Sequence, residues 1–164
     1  MDIQSLFKMQ KELDGFIEKE RGIEGADLFQ QKLLALLVEI GELANETRCF
    51  KFWSSKPASS KDTILEEFVD GVHFILSLGI IKSFDTKKFS IEVSDTQGDD
   101  PVKAFLFIYN SVNEFGKNRD LAHYDTLLQA YFSLGNTLGF TPLEVEAAYK
   151  KKNEINFRRQ HEGY

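Results

Sequence analysis

Apolar residues recur at helical spacing along almost the whole of this 164-residue chain, and only three prolines interrupt it. Proline removes a backbone donor and breaks helices, so a chain this poor in it, with a 3.6-residue apolar period, points to a helical bundle. Leu6, Phe7, Leu13, Phe16 and Ile17 mark a first helix that stops near Arg21 and Gly22. A second spans about Asp27 to Thr47. The third follows the loop RCFKFWSSKPASSK; Thr63 and Glu66 have capping-box spacing at its start, and it extends to about Ser83. Asp100 and Pro101 open a fourth helix, to about Phe115, and a fifth covers about Asp120 to Leu138. Thr141, Pro142 and Glu144 give the last, to about Gln160, an N-cap hydroxyl, a first-turn proline and a capping carboxylate. Between the third and fourth helices, KKFSIEV alternates Phe89, Ile91 and Val93 with polar residues before the turn sequence TQGDD. The expectation is an all-α bundle of about six helices, with a short irregular or β-like insertion near residues 85–99, forming a single domain over residues 1–164.

Composition narrows the function. A single cysteine, Cys49, excludes an internal disulfide framework and suits a reducing cytoplasm. No apolar run approaches the roughly 20 residues of a membrane span, and the N-terminus MDIQSLFKMQ does not read as an export signal. A net charge of −6 argues against a nucleic-acid polymer as partner, because such binding rests on phosphate neutralisation. A small phosphorylated ligand stays open.

Within the second helix, LLALLVEIGELA breaks an apolar run with Glu39 and Glu42, one turn apart and flanked by Ala35, Leu36 and Leu43. Glu46 extends the line. The third helix repeats the device in EEFVDGVHF: Glu67 and Asp70 are one turn apart among Ile64, Phe74 and Leu78, with His73 a turn further on. Four carboxylates on buried faces repel one another and cost several kcal/mol each to desolvate, so they need protons, cations or metal ions. Ligation by oxygen alone favours magnesium or manganese. Gly41 and Gly71 sit beside these acids at about 1 kcal/mol each, a cost that close approach of the two helices explains.

The last helix, YKKKNEINFRRQHEGY, places Tyr149, Lys152, Asn156 and Arg159 in one stripe with Asn153 and Gln160 beside it. Charge plus directional amides suits an oligophosphate, although a solvated basic helix end has the same composition. In CFKFWSSK, Phe50, Phe52 and Trp53 lie among Lys51 and Lys56; these rings either wall a nucleobase pocket or pack into the core. No glycine-rich phosphate loop or nucleophilic triad has a matching spacing.

Four segments, MQKELD, VEIGELANETRCFKFW, EEFVDGVHFILSLG and KNEINFRRQHEGY, resemble the dimeric all-α dUTP pyrophosphatases of the wider all-α nucleoside triphosphate pyrophosphatase group. The resemblance spans nearly the whole chain and is closest to the short bacterial and phage type. It implies Mg-dependent hydrolysis of dUTP to dUMP and pyrophosphate by a homodimer, with dUDP as a second candidate ligand. Two or more Mg²⁺ ions, or Mn²⁺, would be held by Glu39, Glu42, Glu67 and Asp70. Glu42, with Glu39, would activate water. Phosphates fall to Lys152, Asn156, Arg159 and Tyr164, and base and sugar to Gln10, Trp53 and His73. One departure is Asp14, where the family often has Asn. Helix-face aromatics such as Phe105, Phe107 and Tyr131 permit the dimer. Two rival readings keep the helices: a pyrophosphatase of broader base specificity, and a ferritin-like carboxylate protein, which calls for Glu-x-x-His on two helices where this chain offers only Asp70 and His73.

Overall fold

The computed structural model describes residues 1–91 and 100–163. Six helices follow one another: α1 (Ile3–Arg21), α2 (Phe29–Thr47), α3 (Lys61–Ile81), α4 (Pro101–Asn118), α5 (Leu121–Thr137) and α6 (Pro142–His161). No strand forms among the described residues; a single 3-10 turn, Phe84–Thr86, precedes an irregular stretch at 87–91. Val93 of the alternating segment lies outside the described residues. No described helix is long and apolar enough to cross a membrane.

The helix ends follow local chemistry. Asp2, Asp100 and Asp120 cap α1, α4 and α5 with their carboxylates, and Thr141 with Glu144 forms a complete capping box on α6. The start of α3 differs from the expectation. Ser60, in extended backbone, accepts from the Thr63 N–H at 3.2 Å, so the helix begins at Lys61 and Thr63 lies inside it. Glu66 is thereby released from capping and reaches Lys152 instead. Gly22 ends α1 at φ 64°, a left-handed conformation that costs glycine little.

Helix α3 is the axis of the bundle. It buries residues on every face, from Phe68 and Val69 through Ile75 to Leu78, and packs against α1, α2, α5 and α6. Phe68 stacks on Tyr131 at 4.7 Å, with Phe132 and Phe140 edge-on or tilted around it. The two helix-interior glycines have partners other than those expected. A Cβ at Gly71 would meet the Tyr131 ring of α5, with Cζ at 2.6 Å, and one at Gly41 would meet the Tyr109 hydroxyl of α4 at 3.2 Å. They admit tyrosines rather than bringing α2 against α3. Phe105 and Tyr131, expected on an open helix face, are core; Phe107 is exposed.

Candidate active site

Where α2 packs on α3, Glu39, Glu67 and Asp70 bring one carboxylate oxygen each within 4.8 Å of one another. At 100° per residue, Glu39 sits roughly 70° from the centre of the buried arc formed by Leu36, Ile40 and Leu43, and Glu42 roughly 130°. That difference corrects the expectation of four buried acids: Glu39, Glu67 and Asp70 are half-buried, and Glu42 is exposed at the rim. Burial, then the charges of Asp70, Glu42 and Glu67, raise Glu39 to about 7. Glu67 is raised by burial and then by Asp70 and Glu42, so Glu42 acts on the cluster from outside it. Glu46 takes no part; its carboxylate accepts from the Ser59 hydroxyl and ties down the following loop.

Helix α6 supplies the opposing charge. Lys152, buried, lies 2.7 Å from Asp70 and 2.9 Å from Glu66. Burial lowers its pKa, and the bonds to the two carboxylates more than reverse this, so the ammonium is retained. Asp70 is raised by burial despite the same bond. Asn156 and Arg159 line the pocket that opens beside this pair, of about 370 Å³. Gln160, by contrast, accepts from the Arg21 guanidinium at 3.0 Å and joins the ends of α1 and α6.

The inner end of the pocket is neutral and hydrogen-bonded. His73 stacks on Tyr149 at 4.1 Å, and its Nδ1 lies 2.7 Å from Gln10 Oε1, which also accepts from the Tyr149 hydroxyl at 2.7 Å. Burial, reinforced by Lys152, pushes His73 down to about 3, so the imidazole is neutral. Gln10, Asp14, His73, Phe74 and Ser77 all line this end.

One pocket therefore joins Gln10 and His73 to Lys152, Asn156 and Arg159 and ends at Glu39 and Asp70. A family model described as dUTPase matches residues 2–164. The chain belongs to the dUTPase family. No curated protein matches it. As a family member the chain is a dUTP diphosphatase, a hydrolase of nucleotide metabolism acting on dUTP to give dUMP and pyrophosphate. The ferritin-like reading falls with this, and also on geometry: His73 is engaged by Gln10 and is not among the clustered metal-ligating groups.

One residue assigned from the sequence stands apart from this dUTPase pocket. Trp53 is 65% exposed, and its ring meets those of Phe50 and Phe52. Arg48, left-handed at φ 57°, bonds Ser54 Oγ at 2.6 Å and the Lys56 carbonyl at 3.0 Å, and this brace turns the rings outward. They neither wall the pocket of their own chain nor join its core. Tyr164 lies outside the described residues. Conversely, sequence reading gave Glu66 only a capping role, and gave none to Lys32 or Ser77. Lys32 and Ser77 both bond Asp14, and only the i+4 spacing of Gln10 and Asp14 hinted at that network.

Proposed function

We propose that dUTP lies along this pocket with its uracil and deoxyribose against Gln10 and His73 and its triphosphate between Lys152, Asn156, Arg159 and the carboxylates. The observation that carries the reading is the Lys152–Asp70 pair at 2.7 Å, which joins the cationic face and the acidic cluster inside one pocket. Tyr164, at the chain end, is assigned to the phosphates with them.

The acidic residues fit a divalent cation. Three oxygen donors converge within 4.8 Å, and burial with the charges of Asp70, Glu42 and Glu67 raises Glu39 to about 7 against the opposing pull of Lys152. Glu39, Glu67 and Asp70, with Glu42 at the rim, would hold Mg²⁺, two or more ions, with Mn²⁺ as a substitute. Bound magnesium supplies an acidified water and screens phosphate charge. Glu42, exposed beside the cluster, takes the proton of the attacking water together with Glu39. Lys152 and Arg159 steady the charge that grows on the departing phosphate, and Asn156 directs donors at its oxygens. Neutral His73 and buried Gln10 orient the nucleoside, and dUDP fits the same contacts less completely.

The chain acts as one domain over residues 1–164, in the cytoplasm, where its single Cys49 stays reduced. It pairs as a homodimer through the apolar residues that α2 and α4 leave open, Leu34 and Val38 on one and Leu106 and Phe107 on the other. Pyrophosphate release from dUTP, dCTP, dTTP and UTP, each with and without Mg²⁺, tests the reading. Release from dUTP in the presence of magnesium alone is expected; equal rates for all four nucleotides would mean a broader pyrophosphatase, and magnesium-independent release would remove the metal.

A further inference from the structure

Asp14 anchors a buried hydrogen-bond chain that the hydrolysis itself does not use. Lys32 Nζ lies 3.0 Å from Asp14 Oδ2, and the Ser77 hydroxyl donates to the same oxygen. Gln10 Nε2 donates to Asp14 Oδ1 at 2.7 Å. On the far side of that amide, Gln10 Oε1 is 2.7 Å from both the Tyr149 hydroxyl and His73 Nδ1. A carboxylate accepts and does not donate, so the Gln10 amide has one permitted orientation. Turned over, its oxygen would face Asp14 across 2.7 Å, acceptor against acceptor. With that oxygen held toward His73, Nδ1 must carry the ring proton. Nε2, buried and without a hydrogen-bond partner among the described residues, is then a bare acceptor on a ring that lines the pocket. Leaving such an atom unpaired is unfavourable, and a ligand donor relieves it.

We infer that Asp14 is a positioning residue for nucleoside recognition: acting through Gln10, it fixes His73 as the Nδ1–H tautomer, whose Nε2 accepts a hydrogen bond from the nucleoside. The donor is the imide N–H of the base or the 3′-hydroxyl of the sugar. This rests on the assignment of the pocket's inner end to the nucleoside. A cytosine base presents a lone pair where uracil presents the imide N–H, so the same tautomer turns a contact into a repulsion if the base is the donor.

Nitrogen-15 spectra of the histidine rings in the ligand-free enzyme test the relay directly, with the His73 signals identified by their loss in His73→Asn. The wild type should show protonated Nδ1 and unprotonated Nε2. Asp14→Asn, nearly isosteric, can turn either its oxygen or its nitrogen toward Gln10. It should mix or invert the tautomer and raise KM for dUTP about tenfold with kcat nearly unchanged, the effect of one misdirected hydrogen bond. A fall in dUTP-over-dCTP discrimination assigns the donor to the base. A fall confined to discrimination against 2′,3′-dideoxyuridine triphosphate assigns it to the sugar. An Nε2–H tautomer in the wild type overturns the relay without any variant. Unchanged ring shifts in Asp14→Asn overturn it as well, and altered shifts with wild-type KM make Asp14 merely structural. Failure of the functional reading registers separately, as no pyrophosphate released from dUTP by the wild type, because the spectra need no substrate.

Discussion

Glu39 shows how a single side chain can carry both the instability and the chemistry of a site. Its carboxyl is raised to about 7 because burial and three neighbouring acids all favour the proton. Between the ordinary carboxyl value of 4.5 and about 7 the folded protein therefore holds a proton that the unfolded chain has released. Stability of the metal-free protein must fall as pH rises through that window. Thermal unfolding without metal at pH 5 and pH 7.5 should show the decline, and Mg²⁺ added at pH 7.5 should restore the loss. Glu39→Gln removes the titration: the variant should be more stable than wild type at pH 7.5 by on the order of 1 kcal/mol, after discounting for solvent around a half-exposed group, and lose its response to magnesium. Its dUTP turnover should fall by about 10²-fold or more. Lys152→Met probes the opposite charge. Without the ammonium at 2.7 Å, Asp70 gains protons more easily, and kcat/KM for dUTP should drop by roughly 10²-fold, read from initial rates at saturating magnesium.

Elements were legible in the sequence wherever a local rule governs them. The caps at Asp100 and Asp120, the Thr141–Glu144 box and the apolar period are rules of one helix, and α4, α5 and α6 begin where the rules put them, whereas the Thr63–Glu66 spacing set the start of α3 too late. The acidic pairs were legible for the same reason, since one-turn spacing fixes which side chains share a face. What stayed hidden depends on the neighbour: nothing local tells that Gly71 faces Tyr131 or that Trp53 is braced outward by Arg48. The exposure of Glu42 was readable in principle, from its angle to Leu36, Ile40 and Leu43, but not from the count of acids. Two glycine variants separate the local cost from the tertiary one. Gly71→Ala should destabilise the fold by about 3 kcal/mol in urea unfolding, because the Tyr131 ring is stacked on Phe68 and bonded to the Phe68 carbonyl at 3.0 Å and has nowhere to go. Gly41→Ala, 3.2 Å from the half-open Tyr109 hydroxyl, should be near neutral, its helix-propensity gain of about 1 kcal/mol offsetting mild crowding. Equal losses in both would show that Tyr131 yields after all.

At the scale of the whole molecule, the unanswered feature is apolar surface. Leu34 is 63% exposed and Leu106 65% exposed, on helices that pack on one another, the Tyr109 hydroxyl of α4 donating to the Leu37 carbonyl of α2. Adjacent helices that each leave large aliphatic side chains in water are suited to a self-complementary two-fold contact, in which the same patch serves both copies. The expected mass by light scattering is twice the 18.8 kDa of one chain. A glutamate at either centre, Val38→Glu or Leu106→Glu, places like charges across the two-fold axis and should shift the species to the single-chain mass, with the effect relieved in part by salt. The dissociated variant has a further consequence. Glu39, Glu67, Asp70 and Lys152 all belong to one chain and are held by its own core, through Leu36 and Leu43 on α2 and Val69 and Val72 on α3. A monomer should therefore keep the thermal stabilisation by Mg²⁺. Loss of that response along with the dimer would mean that the contact between copies, and not the packing of α2 on α3, sets the spacing of the acids.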